Sequence, residues 1–302
     1  FWRRFREFER VAKMNVIGLG QAGCNIADML SQYPQYKIYK IDVDIKKDFD
    51  FAEQYGESEE KKRIYQVKKQ KGPEEYEKNV PSMKTFFRGI KGETLFIVGG
   101  SGHISAMCLR IMEQIKDKCE LSVLYIRPDT SLLSKNKSLH ENATYNILQQ
   151  YARSGLLKML YLVSNINLEK ILGNVPIIGY NSKINELLVS TIHMINVFKN
   201  SEPVMGKIED PAEASRIATF GISDIEGNEE KSFFSLDRTK EKCYIYSINE
   251  ERLKTEGDLR KKIVSNVKAQ AETEDMKVSF GVFPTNYEQD YCYILNYTSI
   301  IQ

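Results

Sequence analysis

Two glycine-rich turns are the clearest candidates for chemistry in this 302-residue sequence. The first reads GLGQAG over residues 18–23, and the second reads GGSGH over residues 99–103; each follows an apolar run and precedes a predicted helix. Glycines let the backbone turn tightly and approach a phosphate, whose charge is then met by amide N–H groups at the helix N-terminus. Two such turns aimed at one crevice suit a nucleoside triphosphate. Neither contains the GK[ST] sequence of a P-loop, which disfavours a Walker-type NTPase.

Acidic residues after the second predicted strand leave an alternative open. Asp42 and Asp44 lie where a dinucleotide-binding fold places the acid that holds a ribose hydroxyl. Together with the first glycine turn, Asp42 would suggest an NAD or FAD site and a Rossmann oxidoreductase. The second glycine turn has no role in that interpretation, so the triphosphate hypothesis is favoured.

The elements that would position these turns alternate between strands and helices. From Met14 onward, strands rich in Val, Ile and Leu alternate with helical patterns, which is typical of a parallel sheet covered on both faces. The predicted strands are residues 14–20, 37–44, 94–100, 121–128 and 159–165, and the predicted helices are about 24–32, 74–88, 102–118 and 141–155. Residues 46–72 form a charged, loop-like stretch.

A second pattern begins near Gly179, with one long helix predicted over residues 182–198. The elements predicted after it are a short helix over Ala212–Phe220, a strand over 243–249, a helix over 256–271, and strands over 276–284 and 291–301. The predicted fold class is therefore α/β: a Rossmann-like parallel-sheet domain joined by a long central helix to a smaller α+β domain. The predicted domains are an N-terminal extension over 1–13, a nucleotide-binding domain over 14–180, the central helix over 181–200 and a C-terminal region over 201–302.

Composition and charge argue against several classes of function. The 43 basic and 41 acidic side chains give a net charge of +2, so no direct nucleic-acid partner is expected. Every apolar run is shorter than the roughly 20 residues of a membrane span, so no transmembrane segment is expected. The five cysteines form no CxxC pair and the three histidines show no ligand spacing, which predicts reduced thiols and no structural metal site. Residues 1–13 have a basic amphipathic pattern.

The two glycine turns also carry a family resemblance. Residues 20–25, GQAGCN, resemble the GQAGCQ or GQAGCN opening of tubulins, and GGSG over residues 99–102 resembles the core of the GGGTGSG signature of the tubulin/FtsZ superfamily. Residues 71–74 take the place of that family's γ-phosphate-sensing loop, and residues 278–299 resemble its closing hairpin. The resemblance covers residues 14–300 and implies a divergent prokaryotic or phage-like tubulin homologue. Because the sequence ends at the last predicted strand, a plasmid- or phage-like relative is expected rather than a cell-division FtsZ.

The resemblance implies a site for GTP or GDP with Mg²⁺. The first turn would wrap the α- and β-phosphates, the second would hold the β- and γ-phosphates, and residues near the start of the long helix would bind the base. The assigned residues are Gly20, Gln21, Ala22, Gly23, Cys24 and Asn25 in the first turn; Gly99, Gly100, Ser101, Gly102 and His103 in the second; Gly72 in the γ-phosphate loop; Asp44 near the metal; and Tyr180, Asn181 and Asn185 at the base. Asn185 could equally be a solvated residue at a helix start.

An acidic loop follows the long helix. Tubulin-like GTPases carry NxDxx[DE] there, which enters the pocket of the next subunit and polarises the attacking water; residues 208–213, IEDPAE, keep both acids. The resemblance therefore assigns catalytic roles to Asp210, as a loop-orienting or metal-contacting group, and to Glu213, which would position water. Carboxylates at i and i+3 of a helix opening share one face. The same residues also suit an ordinary helix N-terminus with Asp210 as the cap.

Three departures from the family pattern predict slow hydrolysis. Ile208 replaces the leading asparagine of the acidic loop, His103–Ile104 crowds the second turn, and Leu139 stands where an arginine is expected before the ribose-binding helix. The leading hypothesis is a cytoplasmic GTP-binding protein, in the host cytoplasm if phage-encoded, which forms homo-oligomeric head-to-tail filaments with an assembly-dependent GTPase. The alternative is a hydrolysis-impaired structural or assembly component. The sequence identifies no cargo or adaptor protein.

Overall fold

The computed structural model describes residues 13–45, 63–225, 229–274 and 276–302. Of the predicted N-terminal extension, only Lys13 falls within these ranges, and most of the charged stretch 46–72 lies outside them. The described chain packs into two compact units. The first unit contains residues 13–160 and 164–166, and the second contains residues 161–163 and 167–302.

The first unit is built on a parallel sheet. Its strands and helices are β1 (Met14–Leu19), α1 (Gly20–Ser31), β2 (Tyr36–Asp42), β3 (Ile64–Gln66), α2 (Pro73–Lys78), β4 (Glu93–Gly99), α3 (Cys108–Glu113), β5 (Glu120–Arg127), α4 (Lys135–Arg153) and β6 (Met159–Ser164). The sheet order is β3-β2-β1-β4-β5, and each of these neighbouring pairs is parallel. Residues 161–163, in the middle of β6, belong to the second unit.

Burial on both faces explains why these strands read as apolar runs. In β1, the side chains of Val16, Ile17 and Leu19 are fully buried, and in β4 residues 95–98 are buried as well. A parallel sheet covered on both faces needs apolar side chains in both directions from each strand. The prediction of a parallel sheet is confirmed.

Several helix boundaries in the first unit differ from the predictions. Helix α1 begins at Gly20 rather than near Cys24, so it follows β1 without an intervening loop. The helix predicted over 74–88 ends at Lys78. The helix predicted over 102–118 is instead a 3₁₀ segment, His103–Met107, followed by α3. There the hydroxyl of Ser105 donates to the carbonyl of Gly99, a local bond of the kind that competes with regular helix.

The second unit combines a long helix with a mixed sheet. After α5 (Asn165–Leu172), its elements are α6 (Tyr180–Lys199), β7 (Met205–Lys207), β8 (Ile217–Ser223), β9 (Lys231–Ser232), β10 (Glu241–Asn249), α7 (Glu250–Thr255), α8 (Leu259–Glu274), β11 (Lys277–Thr285) and β12 (Tyr291–Thr298). The order is β9-β8-β12-β10-β11-β7, in which β10 and β11 are parallel and the other pairs antiparallel. Its core includes Tyr244, Ile248, Leu259, Ile263, Val282 and Ile294.

The short helix predicted over Ala212–Phe220 is wrong, because strand β8 occupies Ile217–Ser223. The strand is stabilised by antiparallel pairing with β12, in which Phe220 lies opposite Leu295. The buried Thr219 hydroxyl also donates to the carbonyl of Leu162 at 2.7 Å. Tertiary pairing therefore outweighs the local helical pattern in this segment.

Candidate functional site

The two glycine turns lie side by side at the carboxyl edge of the first unit's sheet. They follow β1 and β4, which are adjacent strands. After β1 the chain continues to β2 on one side of this pair, and after β4 it continues to β5 on the other side. Such a reversal of strand order opens the crevice where ligands bind in α/β sheets. A Cβ atom placed on Gly99 would lie 3.4 Å from the Cβ of Ala22, so the turns contact each other. The two turns are therefore neighbours, and their binding of one ligand stays a prediction.

Close backbone packing fixes the first turn. A Cβ on Gly23 would lie 2.5 Å from the carbonyl oxygen of Ile97, and a Cβ on Gly18 would overlap the backbone of Gly23. Gly20 has a φ of +70°, a conformation that favours glycine. The N-cap residue of α1, Leu19, offers no side-chain acceptor, and no other described side chain hydrogen-bonds to the first N–H groups of the helix, so these groups can bind a ligand.

Cys24 and Asn25 belong to the second turn of α1 rather than to the glycine loop. The Cys24 thiol is buried, with its Sγ 3.5 Å from the carbonyl oxygen of Gly18, and burial raises its pKa to about 12. This side chain therefore faces the protein interior. Asn25 is exposed one helical turn beyond Gln21, on the same face of the helix. The phosphate roles of both residues stay predictions.

The second turn is held by backbone and hydroxyl contacts. The Gly100 N–H donates to the carbonyl of Ile126 at 3.0 Å, and the Ser105 N–H donates to that of Gly102 at 3.1 Å. Ser101, Gly102 and His103 are exposed. The Ile104 side chain contacts the first turn, where a Cβ on Gly20 would lie 2.8 Å from its Cγ2.

A cleft at the carboxyl ends of β2 and β3 contains the predicted metal-side residue Asp44. Its volume is about 450 Å³, and it is lined by Val43, Asp44, Gln66, Val67, Lys68 and Lys69. The carboxylate of the neighbouring Asp42 instead accepts a 2.7 Å hydrogen bond from the Val43 N–H, and burial raises its pKa. Asp42 is therefore tied to its own backbone, which weakens its case as a ribose-binding acid.

Gly72 occupies the N-cap position of α2 in an extended conformation. A Cβ placed on it would meet nothing within 4 Å, so packing does not require glycine there. The carboxylate of Glu75 accepts a 3.1 Å hydrogen bond from the Lys71 N–H just before it. The predicted γ-phosphate role of Gly72 stays a prediction.

The residues assigned to the base open helix α6 in the second unit. Tyr180 is its first residue, and its hydroxyl donates to the Glu169 carboxylate at 2.8 Å. Asn181 is exposed, and Asn185, which is half-buried, lies one turn further along the same face. Their roles at the base stay predictions.

The acidic loop, residues 208–213, exposes both assigned carboxylates. The expectation that Asp210 and Glu213 share the face of a helix is wrong, because residues 208–212 are irregular and a turn follows. The Glu213 side chain is 93% exposed, and its carboxylate lies 3.4 Å from Nη2 of Arg216. Both acids therefore face solvent from an irregular loop.

Two charged residues distant in sequence hold this loop. Both carboxylate oxygens of the buried Glu241 accept from the Ala212 N–H, at 3.0 and 3.1 Å. Nζ of Lys277 lies 3.2 Å from Glu209 and 3.7 Å from Glu241, and the hydrogen bond to Glu209 raises the Lys277 pKa. The strands that carry these residues, β10 and β11, pair in parallel with Glu241 opposite Lys277.

Solved structures of three named proteins resemble the whole chain. The GTPγS-form protofilament of TubZ from Bacillus thuringiensis serovar israelensis has a TM-score of 0.68 and 14% identity, covering 98% of this chain and 90% of that one. An empty FtsZ dimer from M. jannaschii has a TM-score of 0.66 and 13% identity, covering 98% and 91%. The GTPγS-bound CetZ2 protofilament from Haloferax volcanii has a TM-score of 0.66 and 12% identity, covering 94% and 92%.

The chain has the tubulin/FtsZ fold. The predicted fold class, a Rossmann-like sheet domain with a smaller α+β region, is thereby confirmed. No protein-family model matches the sequence, and neither does any curated protein. In this tubulin-like chain, the described residues include no helix that is long and apolar enough to span a bilayer. They also contain no group of three or more His, Cys, Asp or Glu side chains suited to a metal ion.

The sequence patterns did not identify several residues of the candidate site. Lys68 and Lys69 line the Asp44 cleft from a stretch predicted only as a charged loop. Glu241 and Lys277 begin strands far along the chain from the loop that they hold. A charged residue at the buried start of a strand is a signal that could have flagged Glu241, because buried carboxylates need partners. Its partner could not be found from spacing.

Proposed function

We propose that this protein binds GTP between its two glycine turns and assembles head-to-tail into filaments. The observation that carries the proposal is the contact between the two turns, above adjacent strands and beside the uncapped start of α1. Free amide donors from two backbone segments can surround a polyphosphate. The similarity to TubZ and CetZ2 supports GTP as the nucleotide, because both of those structures contain protofilaments in a GTPγS form.

Guanine recognition is assigned to Asn185, with Tyr180 and Asn181 covering the base. The Asn185 side chain makes no hydrogen bond to a residue that the structure describes, so its amide is available to a ligand. A side-chain amide offers both a donor and an acceptor, which can pair with the edge of a purine. Tyr180 is already held by Glu169 and would therefore pack beside the base in a fixed orientation.

The predicted Mg²⁺ fits the donors present. This ion prefers oxygen ligands and is commonly held by one or two carboxylates together with substrate phosphates. Asp44, in the cleft beside β2, would supply the protein carboxylate. When bound, the ion would neutralise phosphate charge. A dedicated cage of protein ligands is not needed for this arrangement.

We assign hydrolysis to the acidic loop of an adjacent copy. Asp210 and Glu213 are exposed to solvent, so both are accessible to a second molecule. Glu213 would position the attacking water, and Asp210 would orient the loop. A contact in which the loop of one copy meets the turns of another joins two different surfaces. Such a heterologous contact that does not close into a ring produces a filament.

A hydrolysis-impaired structural protein is the second candidate. The observation that favours it is Ile104, which stands in the second turn and whose buried side chain packs against Gly20 at the start of α1. The tubulin/FtsZ fold and the backbone-bound Asp42 leave the Rossmann oxidoreductase alternative without support. Residence in the cytoplasm and a phage or plasmid origin remain predictions.

The deciding experiment begins by identifying the nucleotide released when the purified protein is denatured. Light scattering and pelleting are then measured with GTP, GDP, ATP and no nucleotide. The proposal predicts bound GDP or GTP, pelleting that GTP promotes, and phosphate release per molecule that rises with protein concentration. Phosphate release per molecule that is the same at all concentrations would exclude a catalytic loop supplied by the neighbour. Tightly bound, unhydrolysed GTP would favour the structural candidate.

A further inference from the structure

Arg127 lies beside the second glycine turn but belongs to neither predicted phosphate loop. It is the last residue of β5, which pairs in parallel with β4 so that Ile126 lies opposite Gly99. The hydrogen bond from the Gly100 N–H to the Ile126 carbonyl extends this pairing into the turn. Arg127 is therefore fixed next to Gly100, at the carboxyl edge of the sheet where the crevice opens.

A buried carboxylate holds Arg127 in place. The Glu141 side chain is completely buried and accepts a 3.1 Å hydrogen bond from the Tyr125 hydroxyl. Nε of Arg127 lies 3.3 Å from the same Glu141 oxygen, and the guanidinium carbon lies 4.3 Å from the centre of the Tyr145 ring. We call these four residues, Tyr125, Arg127, Glu141 and Tyr145, the Glu141 cluster. Burial and the neighbouring Glu141 raise the Tyr125 pKa, so this hydroxyl stays a donor.

The second glycine turn packs directly on the Glu141 cluster. A Cβ on Gly100 would lie 3.0 Å from Cγ of Glu141 and would overlap the Tyr125 hydroxyl. The lack of a side chain at Gly100 therefore lets the turn and the cluster share one surface. A ligand bound at this turn would therefore lie beside the Glu141 cluster, to which Arg127 belongs.

The outer part of the guanidinium is available. Its Nη1 and Nη2 make no hydrogen bond to a residue that the structure describes, and the side chain is 29% exposed. An arginine has five N–H donors in a planar fork, so it can pair with a carboxylate through Nε and still offer two nitrogens to a phosphate. The ion pair and the ring contact fix its orientation before a ligand arrives, which lowers the entropy lost on binding.

We propose that Arg127 binds a phosphate oxygen of the nucleotide through Nη1 and Nη2, with Glu141 as the residue that positions it. This inference rests on the proposed nucleotide site and adds a cationic side chain to a set of backbone donors. The geometry also gives a reason for burying Glu141, because an ionised carboxylate is costly inside a protein unless a cation pairs with it. In this arrangement the Nε side of the Arg127 guanidinium pairs with the buried carboxylate, and Nη1 and Nη2 bind the phosphate.

Nucleotide affinity in Arg127→Gln and Arg127→Lys tests the proposal. Titrations use the full chain with GTP, GDP, ATP, guanosine and inorganic tripolyphosphate. The matched control is Arg153→Gln, an exposed arginine at the other end of α4. Because Arg127→Gln leaves Glu141 without its cation, the double variant Arg127→Gln/Glu141→Gln is measured too, and thermal unfolding establishes that each variant is folded.

Arg127→Gln is expected to weaken the binding of GTP by roughly 10- to 100-fold, the range given by hydrogen bonds to a charged group. The double variant should show the same loss, and Arg127→Lys a smaller one, because lysine keeps the charge but not the fork. Arg153→Gln should bind like the wild type. Guanosine, which has no phosphate, should bind all variants equally.

Two results would overturn the assignment of Arg127. One is GTP affinity within about twofold of the wild type in a folded Arg127→Gln or double variant. The other is an equal loss of affinity for guanosine, which would show a purely structural effect. Wild-type protein that binds tripolyphosphate or ATP but not GTP would refute the guanine assignment while still allowing Arg127 to be tested. Wild-type protein that binds none of these ligands would refute the proposed function and this inference together.

Discussion

The glycine turns and the acidic loop are held in place by different means. The first turn is fixed by backbone packing, with Gly18 against Gly23 and Gly23 against Ile97, so its geometry does not depend on side-chain conformation. The acidic loop is irregular and is held mainly through the side chains of Glu241 and Lys277. Backbone packing gives a binding site a fixed geometry, whereas side-chain anchors can be broken one at a time. The glycine turns of the proposed site should therefore be rigid, whereas the position of the acidic loop should change when one of its anchoring side chains is replaced.

The largest expected effect comes from breaking the backbone packing of the first turn. In Gly23→Val, the new Cβ would lie 2.5 Å from the Ile97 carbonyl oxygen, which cannot move without shifting β4. We expect a loss of about 3 kcal/mol or more in the free energy of unfolding, together with loss of nucleotide binding. Urea denaturation and nucleotide titration measure both. In the matched control, Gly257→Ala, the added Cβ meets nothing within 4 Å and should change stability by less than about 1 kcal/mol. Similar stability in the two variants would refute the rigid-turn account.

The second prediction removes the proposed catalytic groups without disturbing the turns. Asp210→Ala and Glu213→Ala should each slow GTP hydrolysis by about 100-fold, the lower end of the range for a positioned acid or base. Nucleotide affinity should stay near that of the wild type, because these acids would act on the nucleotide of an adjacent copy. Steady-state phosphate release and nucleotide titration separate the two effects. Glu229→Ala, which removes another exposed carboxylate, is the control. A matching loss of nucleotide affinity would contradict catalysis in trans.

The third prediction loosens the acidic loop through its anchor. Glu241→Ala removes both acceptors of the Ala212 N–H and should lower the rate of hydrolysis by roughly tenfold, with a loss of about 1–3 kcal/mol in stability. Glu241→Gln keeps one acceptor, so its losses in hydrolysis rate and in stability should both be smaller. The exposed Glu120, which pairs with Lys158, provides a control whose removal should cost less than about 1 kcal/mol. Equal rates in Glu241→Ala and the wild type would mean that the loop needs no anchor.

The last prediction compares the first glycine turn with the acidic loop by thiol labelling, and it is expected to have the smallest effect on function. Burial raises the Cys24 pKa to about 12, so near pH 8 its thiolate fraction should be roughly a thousandfold below that of a free cysteine. Iodoacetamide should therefore leave native Cys24 unmodified. A cysteine introduced as Glu213→Cys should react fast and become protected when GTP drives assembly. Rapid labelling of Cys24 would contradict a tightly packed first turn. Labelling at position 213 that GTP does not slow would contradict burial of the acidic loop on assembly.

The same physical difference explains how much could be predicted from the sequence. Glycine turns after apolar strands predicted β1 and β4, and the close backbone packing at Gly18 and Gly23 explains why glycine is needed in the first turn. The local pattern of residues 212–220 predicts a helix, whereas the structure has an irregular loop and strand β8, because the partner strand of β8, β12, lies far along the chain. Local patterns also give no indication of the pair formed by Arg127 and Glu141. Their pairing depends on how α4 packs against β5, which local sequence patterns do not encode.

Helix α1 begins at Gly20 without a side chain to bind its first amide groups. If nucleotide supplies the missing acceptors, it completes the helix as a cap does, and emptying the site would leave those donors to water alone. By mass action, any ligand that binds only the folded chain raises its stability with concentration. Cellular GTP levels would then influence how long each molecule survives, as well as whether it assembles. Variants that no longer bind nucleotide should accordingly be degraded faster than the wild type, even where the substitution leaves the hydrophobic core unchanged.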